Sequence, residues 1–298
     1  MNKGILLIIL SGISFMIVNY LVKLLGSETI LPNGMVLQRY PAHELVLARS
    51  IVSFTISAYI IKRKQLPFFG INHSWLLVRG ISGTLALTIF FYTLHHLPLA
   101  VASTVQYLSP IFTVLLATFL VGEKVIKSQW FFILISFTGV LLIAFNKLFE
   151  TGNSIEISPF WLGLGIISAG FSGLAYNAIV RLKATDAPIT IVLYFPMIAT
   201  PIMAFVCLFE FTMPQGIEWL ILLAIGVFTQ IAQILLTRAL HTESTSVIMP
   251  FQYLGAIYAI FIGYFAFDER LSFIVSLGIT TILIGVVGNV ILRKKRSK

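Results

Sequence analysis

Two stretches decide the fold: "STVQYLSPIF" (Ser103–Phe112) and "MPFQYLGAIY" (Met249–Tyr258). Each sets the same triplet inside an apolar run. The copies, Gln106-Tyr107-Leu108 and Gln252-Tyr253-Leu254, are offset by 146 positions. The offset continues outward. His95 meets His241, Val101 meets Val247, Phe119 meets Phe265, Glu123-Lys124 meets Glu269-Arg270, and Gly139-Val140 meets Gly285-Val286. Apolar coincidences are common in an oily chain, but repeated Gln, Tyr and acid–base pairs are not. At the front of each half an offset of 158 sets Gly12 against Gly170, Asn19 against Asn177, Val22 against Val180 and Lys23 against Arg181. The chain reads as a duplication.

What is duplicated is membrane-spanning. Of 298 residues, 58% are apolar and 10% charged, with mean hydropathy +0.98. A soluble domain carries about 25% charged residues. Crossing the bilayer takes about 20 apolar residues, and ten segments qualify: 4–25, 43–61, 74–94, 101–120, 128–146, 159–181, 188–209, 217–238, 245–267 and 272–292. Helix satisfies the backbone in lipid without outside partners. The period-two alternation of a barrel is missing. The first segment is too long for a signal peptide and reads as a retained span. The lone cysteine, Cys207, rules out an internal disulfide framework and a cysteine metal site. Neither a metal nor any other cofactor is expected.

Lys and Arg set the orientation. With the N-terminus in the cytoplasm, Lys3, Lys62, Arg63, Lys64, Lys124, Lys127, Arg181, Lys183, Arg238 and the tail "RKKRSK" fall inside, against Arg39, Lys147 and Arg270 outside. That bias places both termini in the cytoplasm of an inner or plasma membrane. It also accounts for the net charge of +9 without nucleic acid. Five spans per half is an odd number, so the second half enters from the opposite face. The expected fold is an all-α membrane protein, ten transmembrane helices in two inverted five-helix repeats (1–149 and 159–292), with a basic cytoplasmic tail at 293–298. Inverted repeats hold one site near the midplane and open it to either side in turn.

At these residues the chain resembles the drug/metabolite transporter superfamily, EamA type. The resemblance rests on "YLSPIFTVLLATFLVGEKV" followed by Gly139, and on "YLGAIYAIFIGYFAFDERL" followed by Gly285. It covers nearly the whole chain and implies transport of a small metabolite, often export, by alternating access around a central cavity. One departure stands out. Pro110 of the first half faces Ala256 in the second, with Pro250 six residues ahead of it, so the two helices are expected to bend differently.

Polar residues inside spans face the bundle interior. The candidate substrate-binding residues are Asn19, Lys23, Arg49, Tyr92, Gln106, Tyr107, Tyr176, Asn177, Tyr194, Gln230, Gln233, Gln252 and Tyr253. The amides either line a cavity or join neighbouring helices. Asn19–Lys23 and Asn177–Arg181 are spaced four apart, on one helix face, although long cations at helix ends also snorkel to the interface. Arg49 is the sharpest candidate for an anionic contact, about 9 Å into its span, because a guanidinium cannot shed its charge. Glu44 and Glu28 are its alternative partners, and Arg79 is its counterpart from the other face. Glu123 and Glu269 read as structural groups fixing their turns.

No Walker loop "GxxxxGK[ST]" occurs, and none of the five histidines has the acidic neighbour of a membrane acyltransferase. An enzyme is therefore not expected. The leading expectation is a secondary transporter of a small polar or anionic metabolite, working by export or exchange as a monomer or homodimer in the lipid bilayer. The alternative is a membrane enzyme or lipid flippase-like protein using the same cavity, with a channel behind it.

Overall fold

The computed structural model describes residues 3–26, 29–30, 36–96, 105–150, 158–258 and 273–296. The chain is helical. α1 is Lys3–Gly26, α2 Ala42–Arg63, α3 His73–His96, α4 Ser109–Leu120, α5 Lys127–Glu150, α6 Pro159–Leu182, α7 Pro188–Cys207 and α8 Glu218–Thr242. A short helix α9 (Thr245–Ile248) runs into a 3-10 segment (Met249–Tyr253), and α10 is Phe273–Arg296. In the first loop β1 (Thr29–Ile30) and β2 (Val36–Leu37) form a two-residue antiparallel ladder.

Six described helices are long and apolar enough to cross a membrane: Lys3–Gly26, Ala42–Arg63, His73–Thr93, Pro159–Leu182, Pro188–Cys207 and Glu218–Thr242. Shorter apolar helices cover Ser109–Leu120, Lys127–Leu142 and Ser276–Asn289. Part of the fourth expected span (101–104) and part of the ninth (259–267) lie outside the described residues. Phe119, Phe160, Phe205 and Leu208 point outward, as a lipid-facing surface requires.

Both triplets sit at breaks. Gln106 and Tyr107 stand just ahead of α4, whose cap is Leu108 and whose first turn carries Pro110. Gln252 and Tyr253 lie in the 3-10 segment, with Pro250 in its first turn. A proline has no N–H for the i→i−4 bond, so each half interrupts its helix with a different proline. The expected difference in bend is therefore one of placement: a proline after the triplet in one half and before it in the other.

Helix packing repeats between the halves. α1 packs on α8 and α3 on α6; α2 packs on α8 and α3 on α7; α4 packs on α6, and α1 touches the 3-10 segment. α2 pairs with α7, and α5 with α10. Exchanging each helix with its counterpart five numbers on turns α1–α8 into α3–α6 and α2–α8 into α3–α7, and leaves α2–α7 and α5–α10 unchanged. Small residues let the backbones meet, as membrane interfaces need when lipid removes the hydrophobic drive between helices. A Cβ on Gly80 would collide with Ile198 and the Tyr194 carbonyl; one on Gly226 would collide with Val52. Gly139 meets Gly278 and Ile282, while Gly285 meets Phe132 and Ser136. Each contact becomes its mate by adding or subtracting 146. The offset thus reaches forward through α2 and α3, where the paired contacts show it more plainly than residue identity does.

Two clasps close the ends of α2. At its start, the Glu218 carboxylate accepts from the Tyr40 hydroxyl (2.6 Å), the Gln38 amide N–H (2.7 Å) and the Gln215 N–H (2.8 Å). Beyond its other end, Asp186 accepts the Ile71 and Asn72 N–H groups (2.6 and 3.2 Å) and the Thr185 hydroxyl (2.6 Å). Tyr40 and Asp186 are offset by 146, and so are Asn72 and Glu218. The carboxylate has changed sides of the contact while the contact itself recurs. Burial, then the Glu218 carboxylate, raises the Tyr40 phenol above its ordinary range.

Candidate functional site

Arg49 on α2 and Arg79 on α3 are 5% and 3% exposed. Each lies about two turns into its helix, and both neighbour Phe195: the Arg49 guanidinium lies over its ring, and a Cβ on Gly83 would meet both Arg79 Nη1 and Phe195 Cδ2. Arg79 Nη2 donates to Gln233 Oε1 on α8 at 3.1 Å. Arg49 lies over the Phe195 ring on α7, 5.5 Å from its centroid. The half-buried Tyr176 phenol of α6 lies within electrostatic range of both cations and near Gln252 of the 3-10 segment. Gly83 lies one turn beyond Arg79, and a Cβ there would strike Arg79 Nη1. Its bare Cα leaves room for the guanidinium. Helices from both halves thus build one cationic, amide- and phenol-lined place.

Among the described residues no carboxylate faces either arginine. The Nε atoms of both are buried without a hydrogen-bond partner. Glu44 does not pair with Arg49, because its Oε2 accepts the Thr212 N–H at 2.9 Å. Glu28 lies outside the described residues. An isolated buried charge costs several kcal/mol unless something compensates it.

The other candidates divide. Gln106 donates to the Ser172 hydroxyl at 3.0 Å and accepts from Ser168 at 3.3 Å, both on α6. Asn177 is fully buried and donates to the carbonyls of Thr113 and Gly173, both at 2.9 Å. Gln230 donates to Ser57 on α2 at 2.7 Å. These three amides join helices. Tyr194 hydrogen-bonds the Phe69 carbonyl at 2.7 Å, near the Asp186 clasp. Asn19 is exposed, unlike its mate Asn177, and nothing is described of the Lys23 side chain. Arg181 is exposed at its helix end, over the Trp75 ring at 5.6 Å, so it forms no binding stripe with buried Asn177. Tyr92 is 43% exposed and borders a shallow crevice with His43, Thr88 and Met203, apart from the arginines.

Tyr107 and Tyr253 meet, with ring centroids 6.2 Å apart. Equivalent residues of two repeats can touch only where the repeats exchange. The triplets therefore mark the junction of the halves, and Gln252 carries it towards the arginines. Glu123 accepts the backbone N–H and the hydroxyl of Thr245 and of Ser246, at 2.5–3.0 Å. It caps α9, the structural role expected of it; Glu269 lies outside the described residues.

Sequence reasoning passed over Phe195, Gly83 and the role of Arg79. It also passed over the serines that receive the amides. One signal was available: Arg49, Ser53 and Ser57 recur every four residues and are all buried, as on one helix face. Phe195 gives no such signal among 25 phenylalanines.

Comparison with known proteins places this arrangement. The EamA-like transporter family matches residues 2–145 and again residues 159–291. A pseudopaline exporter of Pseudomonas aeruginosa is 30% identical over 259 residues, covering 87% of this chain and 85% of the exporter. A riboflavin transporter of Vibrio cholerae is 24% identical over 261 residues, covering 84% and 80%. One solved crystal structure shares the fold with TM-score 0.77 and 16% identity, covering 99% of both chains. With both halves matched, and a relative 30% identical along most of its length, this chain belongs to the EamA-like transporter family, whose members are transporters and not enzymes.

Proposed function

We propose that the protein is a secondary transporter that moves a small polar or anionic metabolite by alternating access, in export or exchange. The carrying observation is that buried Arg49 and Arg79 neighbour half-buried Tyr176, Gln233 and Gln252, from both halves of the chain. The names of the relatives, a pseudopaline exporter and a riboflavin transporter, favour a small metabolite and, for the first, export. The proposed architecture is ten spans in two inverted five-helix halves, 1–149 and 159–292, ahead of the basic tail. Packing pairs that exchange under the 146 offset support it. The proposed setting is the inner membrane with both termini cytoplasmic, as the Lys/Arg bias requires. On this reading the Glu218 and Asp186 clasps close opposite faces.

Purified protein in proteoliposomes tests the proposal. Saturable solute flux is expected, abolished by Arg49→Ala and retained, at lower protein stability, by Gln106→Ala. Glu218→Gln and Asp186→Asn should shift the labelling of single cysteines introduced beside the arginines, in a Cys207→Ala background, towards opposite faces. Turnover of lipid with no solute flux would sink the transporter reading. Both clasp variants opening the same face would remove alternating access.

A further inference from the structure

Arg49 and Arg79 are two buried permanent cations, and among the described residues no carboxylate pairs with either. Of the carboxylates whose side chains are described, Glu123, Asp186 and Glu218 are held by other donors, Glu44 accepts the Thr212 N–H with one oxygen, Glu243 lies against Gly4 and Glu210 is exposed; none forms an ion pair with either arginine. Gln233 gives Arg79 one neutral acceptor, and Phe195 gives Arg49 a π face but no hydrogen-bond acceptor. Neither arginine can relieve the strain by losing its proton. A fold that buries two like charges and vacates Gly83 for one of them stands to gain most from a ligand carrying the missing charge.

We infer that the site takes a compact dianion, two carboxylates on one small metabolite or a single phosphate, bridged between Arg49 and Arg79. Each guanidinium offers a planar fork matched to carboxylate or phosphate oxygens. Gln252 and Tyr176 supply neutral donors beside it, suited to a hydroxyl or amide elsewhere on the same molecule. The inference rests on the transporter reading and names its substrate class. It also explains why two uncompensated charges sit in apolar helices: in the substrate-free protein they cost stability, and binding returns it.

The test measures thermal unfolding of detergent-purified protein in a buffer whose anion is a bulky sulfonate. Succinate, inorganic phosphate, succinamate, succinamide and chloride are added separately. A ligand that binds only the folded state raises Tm, by roughly 5 °C at a hundredfold excess over Kd. That rise is expected with succinate or phosphate, a smaller one with succinamate, and none with succinamide. Whichever dianion acts separates the carboxylate source from the phosphate source. Arg79→Met should remove the shift while leaving ligand-free Tm equal to or above wild type, because one of two buried like charges is gone. Gly83→Ala, which pushes the guanidinium aside without deleting it, should weaken the shift in a folded protein. A rise with succinamide or chloride equal to that with the dianions overturns the inference. So does a ligand-free Arg79→Met protein that melts several degrees lower yet keeps the shift. Saturable flux of an uncharged solute, untouched by Arg79→Met, would remove the dianion and leave the transporter standing. Dianion binding without flux would do the reverse.

Discussion

Asn177 and Arg49 are both polar, both buried, and both on apolar helices, yet the bundle treats them differently. Asn177 donates to two carbonyls, one on α4 and one on its own helix. Gln106 and Gln230 likewise find hydroxyls on neighbouring helices. Arg49 donates no hydrogen bond to any described residue, and Arg79 finds only Gln233. An amide whose N–H groups reach acceptors on a neighbouring membrane helix is adhesive. An unsatisfied cation is an unfinished interaction, and the site is to be sought where polar groups lack partners.

Mutations can break this contrast. Among variants that keep both arginines, the largest effect on function is expected at Gly83→Ala. Losing a charge-assisted hydrogen bond is worth 1.5–3 kcal/mol, so transport at low substrate should fall roughly 10–100-fold, with Tm close to wild type. Flux assays beside thermal unfolding check it, and unchanged flux would show that Arg79 does not need that space. Asn177→Ala should do the opposite: about 1–2 kcal/mol of stability lost and the KM for transport kept. A changed KM would move Asn177 from the adhesive class to the site. Gln230→Ala should cost less, about 0.6 kcal/mol, because it donates one side-chain hydrogen bond where Asn177 donates two. The smallest effect is expected at Tyr40→Phe, which removes one of several donors to Glu218. The Tyr40 phenol titrates above its ordinary value. Its contribution is therefore complete below about pH 10 and lost as pH rises past that, so Tyr40→Phe and wild type should differ at neutral pH and converge in strong alkali.

Much of the fold was legible because membrane helices obey one simple requirement. A backbone in lipid must bond to itself over about 20 residues, and apolar runs of that length are visible by eye. The duplication was legible wherever uncommon residues recur, as in Gln106-Tyr107 with Gln252-Tyr253. It was harder to read at Gly80–Ile198 and Gly226–Val52, where one glycine recurs among common residues and only the contact gives it meaning. Breaks at the triplets were half visible: the prolines are in the sequence, but their effect depends on what packs around them.

The site was less legible. Arg49 could be singled out from charge alone, since a cation deep in an apolar span always demands an explanation. Whether Glu44 answered that demand was a question of direction, and the structure turns Glu44 to Thr212. Arg79 could be seen but not placed, because the reach of a long side chain is set by the helix opposite. Composition and periodicity by themselves determined a duplicated, helical membrane protein whose buried polar residues recur in pairs. Only the tertiary structure decided which of those residues satisfy one another and which are left facing an empty partner, because hydrogen bonding depends on atoms brought within about 3 Å from distant parts of the chain.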